Sequence, residues 1–354
     1  MLNHGTGALL GASCPLDQLI HRVSQDKSIR VKEPEKQGQK RRARAPALLT
    51  CLLELDCMRI LVSGASGPIG AALIPDLKAS GEAVTCLVRG SATGADQIRW
   101  DPAQPLSPEL VSGFDAVIHL AGESIVGRWT NAKKRRILDS RRQGTGHLAE
   151  AVAKAPQRPR VFISASAVGY YGDRGDEVLR EGSGSGAGFA AEICREWEAA
   201  ARPASQAGIR TVQIRIGVVM SGVGGALPKM LPPFRMGLGG RLGNGRQWWS
   251  WVSVDDVAGA ILHVLTDEKL QGAVNAVAPI PVTNAEFTRT LASVIRRPAI
   301  FPMPAFVVGL IFGEMGNELF LASQRVEPTK LAASGYQFRH SELRGALEAI
   351  LKKK

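Results

Sequence analysis

Residues Met58 to Gly70 read MRILVSGASGPIG, a short apolar strand that runs into a glycine turn and then into a helix. The glycines fall at Gly64, Gly67 and Gly70. In that spacing the first permits a tight turn, the second lets the backbone approach a pyrophosphate, and the third lets helix pack on strand. Amide groups at the helix start then face the phosphate. A glycine triplet alone is a weak signal, since 39 of 354 residues are glycine and a turn needs no ligand. Its place after ILVS and before the amphipathic run IGAALIPDLKAS makes a dinucleotide the expected ligand. The backbone from Gly64 through Ser66, Gly67, Pro68, Ile69 and Gly70 is its expected cradle.

With 45% hydrophobic residues the chain can bury a large core. The formal net charge of +12 invites a nucleic-acid reading, but the first 57 residues hold nine basic and six acidic side chains. The remaining 35 basic and 26 acidic residues leave +9 spread along the rest. No basic stretch is interleaved with stacking aromatics, so nucleic acid is not an expected partner. The densest run, Lys133 to Arg136 with Arg141 and Arg142, reads as a solvated helix face. Five cysteines without CxxC pairs or metal spacing fit a reducing, cytoplasmic setting, and no metal is expected. The apolar run Ala305 to Phe312 is too short to span a bilayer. It reads as a core helix or an interface, which leaves a homodimer open. Residues 1–57 lack lasting periodicity and are rich in Pro, Gln, Lys and Arg, so they read as a disordered extension or a mis-assigned start.

From Met58 onward strands and helices alternate, the pattern of a doubly wound parallel α/β sheet of Rossmann type with helices on both faces. The second strand, Ala83 to Val88, ends at Arg89, where a site selective for NAD usually places an acidic residue for the ribose hydroxyls. A guanidinium there suits a 2′-phosphate through charge-assisted bonds, which favours NADP over NAD. The alternative is a plain surface arginine. Ile98 to Asp101 reads as a third strand, with Asp101 placed to accept from an adenine amino group. Asp115 to Leu120 reads as a fourth. The small residues after it, Ala121 and Gly122, let a cofactor lie across the strand ends beside Leu120.

The segments GASGPIG, HLAGE (119–123), SASAVGYYG (164–172) and WVSVDDVAGA (251–260) resemble those of the extended short-chain dehydrogenase/reductase family. More narrowly, SRRQGTGHL from Ser140, REWEAA from Arg195, the glycine-rich stretch from Gly224 and NAVAPIPVTNAEF from Asn275 resemble an atypical NAD(P)-dependent epimerase-like subgroup with a small extra C-terminal domain. The resemblance runs from Met58 to Leu351. It implies a Rossmann/epimerase-like domain at 58–298 with interleaved substrate-lobe segments, a small helical domain at 299–354, and NADP(H) binding.

In ordinary family members a tyrosine, with a lysine four positions on, exchanges a proton with a substrate oxygen that a serine orients. Ser166 matches the serine. Where the tyrosine and lysine would fall, this chain has Phe189 and Ile193, which cannot take part in proton transfer. The substitutes are Tyr170 or its neighbour Tyr171 as acid, unless Tyr171-Gly172 only shapes the turn, and Glu123 as base or hydroxyl ligand, unless it is a capping or solvated acid. His119 reads as a core histidine. The glycine-dense stretch 217–245, with Lys229, Arg235, Arg241, Asn244 and Gln247 ahead of Trp248, Trp249 and Trp251, reads as a loop over an anionic or sugar-like ligand, or as an irregular lobe. Ser253 stands where the subgroup usually has histidine, and Asp255 and Asp256 read as caps of a helix over Val257 to Leu265. Two functions remain open: an NADP-dependent oxidoreductase or epimerase acting on a small hydroxyl- or carbonyl-bearing substrate, and an NADP(H)-binding sensor with little turnover.

Overall fold

The structure is a computed structural model that describes residues 57–352; the expected N-terminal extension lies outside the described residues apart from Cys57. Seven strands form one parallel sheet: β1 (Arg59–Ser63), β2 (Ala83–Val88), β3 (Gln97–Arg99), β4 (Ala116–His119), β5 (Val161–Ala167), β6 (Arg210–Ile216) and β7 (Gly272–Ala276). Their order is β7-β6-β5-β4-β1-β2-β3. The order reverses at β1, so a crevice opens between the ends of β1 and β4, where open α/β sheets take their ligands. The expected third and fourth strands are each shorter by a residue or two. Trp100 already turns its indole N–H to Gln104 O at 3.1 Å, which closes a turn in place of a longer ladder.

Side-chain alternation sends each strand's residues into both layers. Ile60 and Val62 of β1 join Leu73 and Leu77 of helix α1 (Pro68–Ala79), while Leu61 between them joins Leu148 and Val152 of α2 (Asn131–Lys154). All seven are fully buried. Such strands read as unbroken apolar runs because both faces are covered. Helix α3 (Phe189–Ala200) lies beside α2.

The smaller lobe holds α4 (Leu227–Arg235), α6 (Asn284–Ile295), α7 (Ala305–Phe312) and α8 (Leu343–Lys352), whereas α5 (Val254–Thr266) packs on α1 and belongs to the core of the main sheet. Around Phe287 and Leu291 of α6 and Leu347 of α8 the lobe has its own core, into which Trp249 and Trp251 insert. Those two tryptophans are therefore packing residues. Only Trp248 is partly exposed, with the Arg325 guanidinium 4.6 Å from its ring centroid. Helix α7 is not the core helix that its composition suggests. Val308 is its single fully buried side chain, while Phe306, Leu310 and Ile311 are exposed.

Helix α5 starts three residues earlier than expected and its cap differs. Ser253 is the N-cap and accepts from Asp256 N, whereas Asp256 is buried and collects bonds from the Ser253 and Tyr336 hydroxyls and from the backbone N–H groups of Arg339 and His340. One carboxylate thereby fastens residues 336–340 to the main body.

Candidate functional site

The turn after β1 has the geometry its glycines predict. Gly64 takes φ +79°, and a Cβ there would lie 2.7 Å from Ala121 N; a Cβ on Gly70 would lie 2.5 Å from Gly64 O. Any side chain at either place would push the turn off β4 or the helix off the turn. Gly67 N donates to Gly64 O at 3.0 Å and closes the loop. Helix α1 then begins with Pro68 and no side chain caps it. Its first amides point into the crevice with the positive end of the helix dipole, the arrangement that fits a pyrophosphate. Ser66 is exposed on the turn and Ile69 is partly buried. From the smaller lobe, Gly224 reaches the same place, with its Cβ position 3.0 Å from Pro68 Cγ.

The crevice rim carries the other residues expected to touch the cofactor. Arg89 is exposed at the end of β2, and its charge is among those that act on the Glu123 carboxylate across the rim. Asp101 is exposed too, and its Oδ1 accepts from Ala103 N at 3.1 Å, which holds the turn after β3. Leu120 and Ala121 are half-buried and Gly122 is exposed. Glu123 is fixed at three points by one helix. Its N–H donates to Ser140 Oγ at 3.1 Å, its C=O accepts from Arg141 Nη1 at 3.1 Å, and its carboxylate accepts from Lys133 Nζ at 2.6 Å. The Lys133 bond holds the Glu123 carboxyl below its usual range and outweighs the opposing effect of burial.

These contacts correct the reading of the basic run as solvated at Lys133, Lys134 and Arg141, while Arg135, Arg136 and Arg142 are exposed as expected. Lys133 is only 14% exposed in its side chain, Lys134 pairs with Glu314 and lies over the Phe189 ring, and Arg141 is 7% exposed beneath Gly122 with its guanidinium over Trp197. Thr130, not Glu123, caps α2.

On α3, Phe189 and Ile193, which stand where the family resemblance leads us to expect tyrosine and lysine, are buried among Trp129, Ile137 and Met315. The Glu318 carboxylate covers the start of α3 and accepts from Phe189 N at 2.9 Å and Ala190 N at 2.7 Å. The C-terminal part of the chain thus fills this position with its own acid.

Next to it lies a buried chain of polar groups that the sequence did not reveal. Arg215 of β6 is 4% exposed and pairs bidentately with Glu198 of α3, at 2.8 and 2.9 Å. Burial works against the Arg215 charge, but the bonds to Glu198 prevail and keep it protonated. Ser166 stands beside Arg215 in the β5–β6 register and donates its hydroxyl to Glu198 at 2.8 Å, so it is not free for a ligand in this arrangement. Tyr171 is fully buried, with its hydroxyl between Asn275 and Arg215 at 2.7 and 3.0 Å, and burial raises its pKa. It is a structural tyrosine. Tyr170 is only half-buried and rests on the Arg215 guanidinium, 3.4 Å from its ring centroid. His119 is a core histidine: fully buried, bonded to Ser63 Oγ at 2.6 Å, and lowered to about 4 by burial and by Arg141. Among the described residues no cluster of His, Cys, Asp and Glu could hold a metal ion, and no helix is long and apolar enough to cross a membrane.

A parallel sheet with its ligand crevice at the β1/β4 switch, a glycine-lined phosphate turn and a second lobe over the strand ends define a nucleotide-binding α/β protein of the epimerase type. The profile of the NAD dependent epimerase/dehydratase family matches residues 60–276, and that of a domain of unknown function, DUF1731, matches residues 303–350. The chain belongs to the NAD dependent epimerase/dehydratase family and carries DUF1731 as its C-terminal addition. An epimerase family protein of Mycobacterium bovis is 41% identical over 290 residues, covering 81% of this chain and 96% of that protein. The crystal structure of the human epimerase family protein SDR39U1 with NADPH is similar at a TM-score of 0.77 and 38% identity, over 84% of this chain and all of that one. The nucleoside-diphosphate sugar epimerase of Corynebacterium glutamicum is similar at a TM-score of 0.71 and 37% identity, over 84% of this chain and 59% of that one. The protein is thus an NAD(P)-binding member of an epimerase/oxidoreductase family.

Proposed function

We propose that the protein is an NADP(H)-dependent oxidoreductase or epimerase whose substrate is a small hydroxyl- or carbonyl-bearing molecule of sugar-nucleotide type. The observation that carries this reading is the pairing of an uncapped helix start in a glycine cradle with an exposed Arg89 at the end of β2. The first takes a pyrophosphate and the second a 2′-phosphate, where a carboxylate would instead prefer the bare ribose. The human relative crystallised with NADPH supports the choice of phosphate-bearing cofactor, and the C. glutamicum relative supports the substrate class. The cofactor, when bound, supplies hydride exchange at a carbon bearing oxygen.

The protein's own residues then have to bind that oxygen and move its proton. Tyr170 is the half-buried phenol at the end of β5. It gives the proton when a carbonyl is reduced and takes it when an alcohol is oxidised. Arg215 fixes the plane of its ring, and Ser166 acts through Glu198 as a positioning residue for that guanidinium. Glu123, held ionised by Lys133, is an acceptor for a ribose or substrate hydroxyl; a carboxylate so stabilised is a weak base. The test is single-turnover oxidation of bound NADPH across a panel of carbonyl compounds and sugar nucleotides. Tyr170→Phe is expected to bind NADPH as the parent does and to lose at least about 100-fold in rate, the range for general acid catalysis; full activity in that variant would reject the role. A second reading, an NADP(H) sensor, draws on the sealing of the α3 start by Glu318. Tight NADPH binding without turnover on the whole panel would favour it.

A further inference from the structure

We propose that a basic groove in the smaller lobe, sharing no residue with the cofactor crevice, binds a phosphate-bearing metabolite of about nucleotide size. This open groove, about 630 Å³, lies where α4 and α6 end and runs along α8 to its end, and it is lined by the exposed Arg235, Arg296, Arg297, Arg344 and Lys352 against the single carboxylate of Glu348. That volume lies within the range of small-molecule sites, roughly 300–1,000 Å³.

Cations are expected at helix C-termini, so the surplus has to be weighed against that simpler cause. Each terminus carries about half a negative charge. Three of them offset about 1.5 of the four surplus positive charges, and one cation per helix would suffice to complement them. Glu348 is already shared by Arg344 and Lys352, at 3.8 and 3.6 Å. Arg235, Arg296 and Arg297 have no carboxylate partner among the described residues. Arg296 also breaks a local rule. It takes the left-handed position after α6, φ 55° and ψ 47°, and is the one non-glycine residue with positive φ among those described. Glycine or asparagine serves there at lower cost, so Arg296 holds that conformation against some strain, and it lines this groove. Beside the charges, Val294, Ile295 and Leu351 supply an apolar wall for the non-phosphate part of a ligand.

The test is calorimetric titration of the full chain with inorganic pyrophosphate and with ADP at constant ionic strength, with and without saturating NADPH. Saturable binding that persists under NADPH is expected. ADP binding tighter than pyrophosphate would identify a nucleotide, and equal binding an inorganic phosphate. The double variant Arg296→Gly/Arg297→Ser relieves the backbone strain, so it is expected to fold. It should bind pyrophosphate at least tenfold more weakly while its NADPH affinity is unchanged. No saturable binding, binding displaced by NADPH, or equal binding by the variant would each overturn the proposal.

Discussion

Two helix starts in the molecule are finished in opposite ways. Helix α1 begins at Pro68 with no side chain on its amides, while α3 begins at Phe189 with both carboxylate oxygens of Glu318 on its first two amides. Each start is a ready anion site. The first is left for a ligand; the second is taken by the chain itself, from 129 residues away. The contrast lies in the source of the acid: at α3 it comes from the C-terminal part of the chain, which closes over the helix that starts at Phe189.

The largest expected effect is on the open side, in the strand pair that leads into the glycine turn. His119 is held near a pKa of about 4 when folded, against 6.5 in the unfolded chain, because burial and Arg141 disfavour its charge. The unfolded chain therefore binds the extra proton first. Stability from this group is complete above pH 6.5, falls by about 3 kcal/mol on the way down to pH 4, and is flat below that. Denaturant unfolding at several pH values should show this slope, and His119→Gln should flatten it; an unchanged slope would remove His119 from the account.

A somewhat smaller effect is expected at the turn itself. In Gly70→Ala the new methyl would lie 2.5 Å from Gly64 O and must lift α1 from the turn. NADPH should bind about 10- to 100-fold more weakly, or about 1.4–2.7 kcal/mol, by fluorescence titration. Parental affinity would mean that the cofactor does not use this cradle. On the closed side, Glu318→Gln keeps the side chain's size but drops the charge at the α3 start and leaves one acceptor oxygen for two amides. A loss of about 1 kcal/mol in unfolding free energy is expected, the size of a helix-dipole interaction, with NADPH affinity unaltered. Weaker NADPH binding would show that the two helix starts are coupled.

The open side was legible in the sequence because its determinants are local. The three glycines, the strand before them and the arginine after β2 are each read within a few residues, and the parallel sheet follows from strands and helices in alternation. The closed side was not. The bonds of Glu318 to Phe189, of Arg215 to Glu198 and of Asp256 to residues 336–340 join elements far apart in the chain, and no spacing rule connects them. Charge pattern misled where packing overrode it. Lys133, Lys134 and Arg141 look like a solvated face, yet each is committed to a partner against α2. The tryptophans beside the glycine-dense stretch left two readings open, and two of the three proved to be core.

Arg89 is the residue proposed to select the phosphate-bearing cofactor in the crevice between β1 and β4. Parallel fluorescence titrations of the parent and of Arg89→Glu with NADPH and NADH test that role directly. The parent should bind NADPH more tightly than NADH, and the variant should lose or invert that preference while its NADH affinity stays close to that of the parent. An NADPH preference that survives the substitution unchanged would contradict the claim.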